Sequence, residues 1–257
     1  MDRQPRPDVS MGVVPELSIV CPVYQGEHSL THLVEAVDKN CQESGIIYDL
    51  ILVDDGSSDN SWLTITELQK RYPITAVKQA ANYGQHYAIH AGLRQAKGRK
   101  IMVMDCDLQD DPACIPLLLE ASGIHRSSVL AFRKTKKNDP YYVVSSWFLN
   151  VLLTILTRRY NHYRTGNFGV FDHALIRSIL QDGIRNFYFP AAVRIHGGHL
   201  PVLVVRHGER KHGSSTYTFS RQLKLALQAL SYALFHRSGN KTLPYQTETI
   251  IYTKFDE

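Results

Sequence analysis

The stretch LSIVCPV at residues 17–23 is an unbroken apolar run that its proline helps to close. A strand buried on both faces has this pattern, whereas a half-exposed strand alternates apolar and polar residues. Similar short runs predict further strands at residues 50–53, 74–78, 100–104 and 128–132. Segments with helical spacing separate them, at residues 29–39, 58–72, 85–96 and 112–122. This alternation predicts an α/β fold with a mostly parallel twisted sheet and helices on both faces.

Polar clusters follow four of the predicted strands, at residues 22–27, 54–59, 82–85 and 105–111. In sheets of this kind, ligands bind beyond the carboxyl ends of the parallel strands. The four clusters therefore predict a binding site along one edge of the sheet.

The second half of the chain is organised differently. Its predicted elements are an apolar aromatic helix, a short strand, a short helix, another strand and an amphipathic helix, at residues 142–158, 168–171, 174–181, 202–206 and 220–237. A basic loop at residues 209–217 precedes the last helix, and the segment from residue 238 onward has no strong pattern.

The composition is that of a folded protein, with 44% hydrophobic and 21% charged residues. The net charge of +5 suits an anionic substrate or membrane surface, but it is too small to indicate nucleic acid binding. The four cysteines form no C-x-x-C pair, which favours free thiols over a zinc site. No signal peptide is evident, and the longest apolar stretches, at residues 147–156 and 223–235, fall short of the roughly 20 residues of a membrane span. We therefore expect a cytoplasmic protein.

Asp105 and Asp107 are the residues with the clearest chemical signal. They follow the strand KIMVM and are separated by one residue. Two carboxylates at the exit of a buried strand are costly unless they meet a cation, and hard oxygen ligands suit Mg²⁺ or Mn²⁺. Such a metal neutralises a diphosphate leaving group. The alternative is a solvated acidic turn, but the preceding strand and the residues that follow favour the metal.

Three weaker signals remain open. Asp54 and Asp55 end a strand and suit either a nucleoside contact or a simple Asx turn before a helix. The basic loop at residues 210–217 suits either closure over phosphates or a solvated surface. His86 and His90 are spaced as i and i+4 without a third metal ligand, so we expect them to fill core or surface roles.

Five stretches occur together in a familiar order: SIVCPVY (18–24), LVDDGSSDNS (52–61), NYGQHYAIHAGL (82–93), MDCDLQDDP (104–112) and ERKHGSSTY (209–217). The chain therefore resembles glycosyltransferase family two. Within that family it is similar to the dolichol-phosphate mannosyltransferases and the bacterial polyprenyl-phosphate glycosyltransferases. The resemblance implies a GT-A fold, which is Rossmann-like, and inversion at the anomeric carbon without a covalent sugar–enzyme intermediate.

The resemblance also implies roles for individual residues. The nucleotide base and ribose would be held by Pro22, Tyr24, Asp54 and Asp55, and the same pocket would be lined by Asn82 and Gly84. The divalent metal, Mg²⁺ or Mn²⁺, and with it the donor diphosphate, would be bound by Asp105, Asp107 and Gln109. Phosphate would be contacted by Arg133 after the fifth strand, and by Arg210 and Ser215 in the basic loop. The expected catalytic residues are Asp107 and Arg210.

The sequence departs from the family pattern at two places that matter here. Gln25 and Gly26 replace the asparagine and glutamate of the family's P-V-Y-N-E-E motif. Asn167 stands in the T-G-N-F segment, where relatives often have an aspartate. A phosphate acceptor is already ionised and needs no general base, but a sugar hydroxyl would need one. Asp172 and Glu209 are the candidates for that base.

The resemblance implies one GT-A domain over residues 15–237. Residues 15–133 would bind the nucleotide sugar, and residues 134–237 would bind the acceptor. We expect residues 1–14 to be a disordered tail and residues 238–257 to be a second tail.

We therefore expect a metal-dependent transferase that moves a sugar from a nucleoside-diphosphate sugar to a polyprenyl phosphate or lipid-linked glycan. This reaction would serve cell-surface polysaccharide or lipopolysaccharide synthesis. The alternatives are a soluble or protein-bound sugar hydroxyl as acceptor, and a catalytically silent nucleotide-sugar-binding protein. The apolar faces of the helices at residues 142–159 and 220–237 suit either peripheral contact with the cytoplasmic face of a membrane or a second subunit of a homo-oligomer.

Overall fold

The computed structural model of the protein describes residues 14–134, 140–159, 165–182, 185–206, 219–235 and 247–248. The strands in these ranges are β1 (Leu17–Val23), β2 (Tyr48–Asp54), β3 (Ile74–Gln79), β4 (Lys100–Val103), β5 (Val129–Lys134), β6 (Thr165–Asp172), β7 (Val202–Arg206) and β8 (Thr247–Glu248). The helices are α1 (Glu27–Glu43), α2 (Ser61–Gln69), α3 (Gln85–Leu93), α4 (Ile115–His125), α5 (Pro140–Thr157), α6 (His173–Leu180), α7 (Phe189–Gly197) and α8 (Phe219–Phe235).

The described strands form one sheet in the order β7-β5-β6-β4-β1-β2-β3-β8. β1 pairs in parallel with β2 and β4, β2 pairs in parallel with β3, and β5 pairs in parallel with β7. β6 and β8 run antiparallel to their neighbours. The predicted, mostly parallel sheet is therefore confirmed. The carboxyl ends of its parallel strands meet along one side, which we call the carboxyl edge.

Both faces of the sheet are covered, which explains the unbroken apolar runs of its central strands. Ile19 and Cys21 of β1 pack with α1, α2 and α4 on one face. Val20 of the same strand packs with α3, α6 and α7 on the other face. All seven residues of β1 are buried, so neither face of this strand needs polar side chains.

Helix α3 lies unusually close to the sheet because of Gly92. A Cβ atom at this position would come within 2.5 Å of Val20 Cγ1 and 3.0 Å of Val53 Cγ2. A side chain here would push the helix away from β1 and β2. Because the first turn of α3 reaches the carboxyl edge, this close packing also fixes the position of part of the predicted site.

A hydrogen-bonded cluster joins the helices of the second half. Asp182 Oδ2 accepts a hydrogen bond from Tyr232 of α8 at 2.8 Å and lies 2.7 Å from His196 Nε2 of α7. The other ring nitrogen of His196 lies 2.7 Å from Ser178 Oγ of α6. Because all three bonds are partly buried, the cluster holds α6, α7 and α8 in a fixed arrangement.

The predicted elements agree with the structure in type, and two elements were missed. Helix α7 was missed because it is only nine residues long and none of them is exposed, so no polar solvent-facing stripe marks it in the sequence. β8 was missed because two residues are too few to show a pattern, although it pairs with β3 from within the segment predicted to be a tail. Helix α2 begins at Ser61 rather than at residue 58, since the residues before it form hydrogen bonds to the β1–α1 loop.

Some apolar side chains of the second half remain on the surface, among them Trp147 and Ile155 of α5 and Leu227 and Leu234 of α8. Within the described ranges, no helix has the length and apolarity that crossing a bilayer requires. The four cysteines are free thiols, as predicted.

We predict that Gly92→Ala destabilises the protein by about 1–3 kcal/mol, because the added methyl group overpacks the interface between α3 and the sheet. Gly123 in α4 is the matched control, since a Cβ there would meet nothing within 4 Å. Gly123→Ala should be neutral or stabilising by up to about 1 kcal/mol, the usual preference of a helix for alanine. Urea denaturation of both variants measures the difference, and equal free energies of unfolding would contradict it.

Candidate functional site at the carboxyl edge

The loops after β1, β2, β3 and β4 meet at the carboxyl edge. These four strands are neighbours in the sheet and run in the same direction, so the polar cluster that follows each one comes close to the next. This is the arrangement that the sequence predicted.

Asp55 joins the loop after β2 to the start of α3. Its two carboxylate oxygens accept hydrogen bonds from the backbone N–H groups of Tyr83 and Gly84, each at 2.9 Å. Burial raises the pKa of Asp55 from its ordinary value of 3.8 to about 6, against the opposing effect of these two hydrogen bonds, and the neighbouring Asp54 raises it further. Asp55 is 2% exposed, so it supports this part of the site from inside the protein.

Gly56 allows the loop after β2 to approach the loop after β3. Its φ is +67°, and a Cβ atom there would lie 2.6 Å from the backbone of Ala81 and Asn82. Only glycine satisfies both the left-handed conformation and this close contact. The structure therefore brings the predicted residues Asp55, Asn82 and Gly84 together.

Asp54 is completely buried at the end of β2. Its Oδ1 accepts a hydrogen bond from the backbone N–H of Ser57, whereas Oδ2 is buried and has no hydrogen-bond partner. Burial raises the pKa of this carboxyl, and the Ser57 hydrogen bonds oppose the shift. An unpartnered buried acceptor is costly, so a donor that reached Oδ2 would be favoured here.

The loop after β1 is tied to the loop after β2. Gln25, with a φ of 52°, donates its backbone N–H to Ser57 Oγ at 3.0 Å. Glu27 N–H donates to Asp59 Oδ2 at 3.2 Å, and Glu27 Oε2 accepts from the N–H of Asn60 at 2.6 Å. The replacement of the family's asparagine by Gln25 is therefore compatible with an ordered loop.

The predicted base-binding residues at the end of β1 differ in exposure. Pro22 is buried, and the next residue but one, Tyr24, is 46% exposed. An exposed aromatic ring beside a polar pocket provides a surface on which a flat base could stack.

The segment after β4 forms a tight acidic turn. The backbone N–H of Asp105 donates to Asp110 Oδ2 at 3.0 Å, and the N–H of Gln109 donates to Asp107 Oδ1 at 3.1 Å. Leu108 between them has a φ of 62°, which is rare for a branched residue. The turn holds Asp105 and Asp107 partly exposed at the carboxyl edge.

The side chain of Gln85 adds a contact from α3. Its amide Nε2 donates to Asp105 Oδ1 at 2.6 Å. Gln85 and Asp110 were not among the site residues predicted from the sequence. Their position within the stretches NYGQHYAIHAGL and MDCDLQDDP was the available signal.

The donor set at this turn is compatible with a magnesium or manganese ion. Two partly exposed carboxylates at the carboxyl edge of the sheet provide hard oxygen ligands. Within the ranges that the structure describes, no group of three or more His, Cys, Asp or Glu side chains is arranged to hold a metal. A metal at Asp105 and Asp107 would therefore depend on additional oxygens from a ligand or water, which is usual for Mg²⁺.

Some predicted residues lie at the edge of what the structure describes. Arg133 is in β5, which runs parallel to β7 and ends at the carboxyl edge, and its side chain is not described. Arg210, Ser215 and Glu209 lie outside the described residues.

Asp172 is not a general base for this site, contrary to one of the alternatives above. It ends β6 at the opposite edge of the sheet, because β6 runs antiparallel to β4. There it forms an ion pair of 2.6 Å with Lys100 Nζ and accepts a hydrogen bond from Ser128 Oγ at 3.1 Å.

Asn167 lies at the carboxyl edge instead. The last described pair between β4 and β6 is Val103 with Gly169. Asp105 lies two residues after Val103, and Asn167 lies two residues before Gly169 on the antiparallel strand, so both are at the carboxyl edge. Asn167 is 9% exposed, and its buried Oδ1 has no hydrogen-bond partner. The position where relatives often have a carboxylate thus presents a neutral amide here.

The two histidines of α3 are buried, as expected. The ring of His86 packs against Tyr188 at 4.4 Å, and the ring of His90 packs against Phe187 at 4.9 Å. Burial lowers the pKa of His86 to about 3 and that of His90 to about 4, so both rings are neutral. They join α3 to the segment before α7.

Comparison with known proteins agrees with this geometry. The profile described as "Glycosyl transferase family 2" matches residues 18–183. The chain belongs to glycosyl transferase family 2. It is 33% identical over 223 residues to the undecaprenyl-phosphate 4-deoxy-4-formamido-L-arabinose transferase of Proteus mirabilis, covering 84% of this chain and 67% of that protein. The protein of the same name from Pseudomonas fluorescens is 30% identical, over 84% of this chain and 64% of the relative. The chain thus spans about two thirds of the length of these family 2 relatives.

Solved structures confirm the GT-A fold expected for the family. Glucosyl-3-phosphoglycerate synthase from Mycobacterium tuberculosis, in complex with Mn²⁺, UDP-glucose and phosphoglyceric acid, is similar with a TM-score of 0.61 and 14% identity. The alignment covers 87% of this chain and 79% of that protein. S. aureus TarS in complex with UDP-GlcNAc has a TM-score of 0.55 and 14% identity, over 88% of this chain and 68% of TarS.

We predict that binding of a nucleotide sugar weakens as the pH falls through about 6, the pKa of Asp55. The ionised carboxylate accepts from both Tyr83 and Gly84, whereas the protonated form has less capacity to accept, so the pocket wall loosens below this pH. A nucleotide sugar is the suitable probe because its diphosphate diester does not titrate in this range. Calorimetric titration across the pH range measures the affinity.

Asp49 provides the matched control for this experiment. It lies in β2, six residues before Asp55, and burial also raises its pKa to about 6. The pH dependence should disappear in Asp55→Asn and persist in Asp49→Asn. The opposite result would assign the titration to another group.

Proposed function

We propose that the protein is an inverting, metal-dependent glycosyltransferase that moves a sugar from a nucleoside-diphosphate sugar to a polyprenyl phosphate. The observation that carries this proposal is the convergence of Asp55, Gly84, Asp105 and Asp107 at the carboxyl edge of a GT-A sheet. Relatives that match most of the chain are named for an undecaprenyl-phosphate acceptor, which supports the acceptor class.

The nucleoside would occupy the pocket between the loops after β1 and β2. Tyr24 provides an exposed ring for stacking, and the buried Asp54 Oδ2 is an acceptor without a partner. An N–H donor on a nucleobase would satisfy this oxygen if binding displaced the atoms that cover it. Asp55 would act indirectly, by holding the turn that includes Asn82 and Gly84.

The diphosphate would lie beside the acidic turn after β4. Asp105 and Asp107, with Gln109, would hold Mg²⁺ or Mn²⁺, which would supply the charge that stabilises the departing diphosphate. One solved structure of M. tuberculosis glucosyl-3-phosphoglycerate synthase contains Mn²⁺ together with UDP-glucose, which supports this assignment by analogy of fold. Arg133, Arg210 and Ser215 would provide further contacts to phosphate, with Arg210 stabilising the transferred charge.

The acceptor would be a phosphate rather than a sugar hydroxyl. A phosphate oxygen is already anionic, so it can attack the anomeric carbon as the bond to the diphosphate oxygen breaks. The described part of the carboxyl edge fits this reaction, because Asn167 is neutral and Asp172 is engaged at the opposite edge. A hydroxyl acceptor would need a general base. Of the two candidates, Asp172 is at the opposite edge and Glu209 lies outside the described residues.

We also propose that the protein works against the cytoplasmic face of a membrane, where a polyprenyl phosphate would be presented. The exposed apolar side chains of Trp147, Ile155, Leu227 and Leu234 on α5 and α8 support this placement. Residues 15–237 would form the catalytic unit.

The test is a transfer assay with UDP-, GDP- and dTDP-sugars, Mn²⁺ or Mg²⁺, and undecaprenyl phosphate in detergent. We expect nucleoside diphosphate release that rises with the lipid, is abolished by EDTA, and leaves the sugar in the lipid phase. Asp107→Ala should lower the rate by about 10²–10³-fold, the usual effect of losing an electrostatic contact to the leaving group. Asp38→Ala, in the part of α1 that is remote from the carboxyl edge, should remain within about twofold of the wild-type rate.

Two outcomes would contradict the proposal. Release that ignores the lipid and transfers sugar to a soluble glycan would make a hydroxyl the acceptor. Nucleotide binding that is insensitive to EDTA, with no transfer by folded protein, would leave only a binding function.

A further inference from the structure

We propose that Gln85 is a positioning residue that couples the nucleoside pocket to the metal-binding carboxylate Asp105. The inference rests on the proposed function, since it concerns how the two parts of the donor site communicate. It is derived from the hydrogen bonds around the start of α3.

The first turn of α3 is held at a fixed height above the sheet. Gly84 precedes the helix with a φ of +102° and donates its N–H to Asp55 at 2.9 Å. Gly92, two turns further along, lets the helix rest directly on β1 and β2. Gln85 therefore projects from a backbone that is fixed on both sides.

From this position Gln85 reaches a residue that is 20 positions away in the sequence. Its Nε2 donates to Asp105 Oδ1 at 2.6 Å, while the backbone N–H of Asp105 donates to Asp110. Both the main chain and the side chain of Asp105 are thus oriented by neighbours. A neutral amide orients a carboxylate and leaves its negative charge free to attract a cation. A lysine in the same place would cancel that charge.

These contacts form one connected path from Asp55 through Gly84 and Gln85 to Asp105. A nucleoside that orders the Gly84 turn also orders the donor to Asp105, and a cation at Asp105 stabilises the same turn. By linkage, each ligand should raise the affinity for the other by the same factor. The metal also bridges the diphosphate directly, so Gln85 accounts for part of this coupling.

The test measures that coupling by calorimetry on the whole chain. The affinities for UDP, GDP and dTDP are determined with and without saturating Mn²⁺. For each nucleotide, the ratio of the two affinities gives the coupling factor. Gln85→Ala is expected to reduce the factor by roughly three- to fivefold, because the hydrogen bond to Asp105 that it removes is exposed to solvent. The metal-free affinity should change by less than about twofold, because Asp55 still holds the turn.

Two further variants make the test specific. Gln85→Asn retains the amide but is shorter by one methylene, so it should lose the coupling as Gln85→Ala does. Gln42→Ala is the matched control, since the exposed Gln42 amide also donates to a carboxylate, Asp38, at 3.0 Å on the remote part of α1. It should leave the coupling factor unchanged.

The outcomes separate the two proposals. If the wild type binds none of the three diphosphates in the presence of Mn²⁺, the proposed function fails and this role fails with it. If the wild type shows metal-coupled binding and Gln85→Ala retains the full factor, only the role of Gln85 is overturned. An equal loss of affinity with and without metal would also overturn it, because that result indicates a purely structural side chain.

Discussion

The hydrogen bonds of Asp55 are the interaction on which the arrangement of the site depends. One buried carboxylate accepts from two consecutive backbone N–H groups, at Tyr83 and Gly84, and so joins the loop after β2 to the helix after β3. The two loops can approach this closely because Gly56 has no side chain. Everything that α3 brings to the carboxyl edge is positioned by this contact.

The cost of this arrangement is visible in the same residues. Burial raises the pKa of both Asp54 and Asp55, so the folded protein holds two adjacent carboxyls in a place that disfavours their charge. Asp54 also leaves one oxygen without a partner. Adjacent buried carboxyls at the carboxyl edge, one of them with an unpartnered oxygen, are typical of binding sites, where a ligand supplies the missing interactions.

The first half of the fold could be predicted from the sequence because its strands are buried on both faces. Runs such as the one in β1 have few alternative structures, and the polar residues that follow them mark the edge of the sheet. Residue types alone could not show that Asp172 lies at the edge of the sheet opposite the predicted site. That depends on the reversal of β6, which only the pairing with β4 reveals. Helix α7 and the Gln85 contact were likewise not predicted. The helix is short and has no exposed residue, and the contact joins residues distant in the sequence.

The reversal of β6 also has a consequence for how the chain becomes folded. β6 lies between β4 and β5, so a strand made late in synthesis fills a gap between two that are made early. Until residues 165–172 arrive, β4 and β5 each present an open edge of unpaired backbone groups to solvent, and such edges invite pairing with other chains. The nascent protein is therefore prone to aggregate until β6 has been synthesised and pairs with β4 and β5. A ribosome-bound chain that stopped near residue 134 would be expected to bind a chaperone.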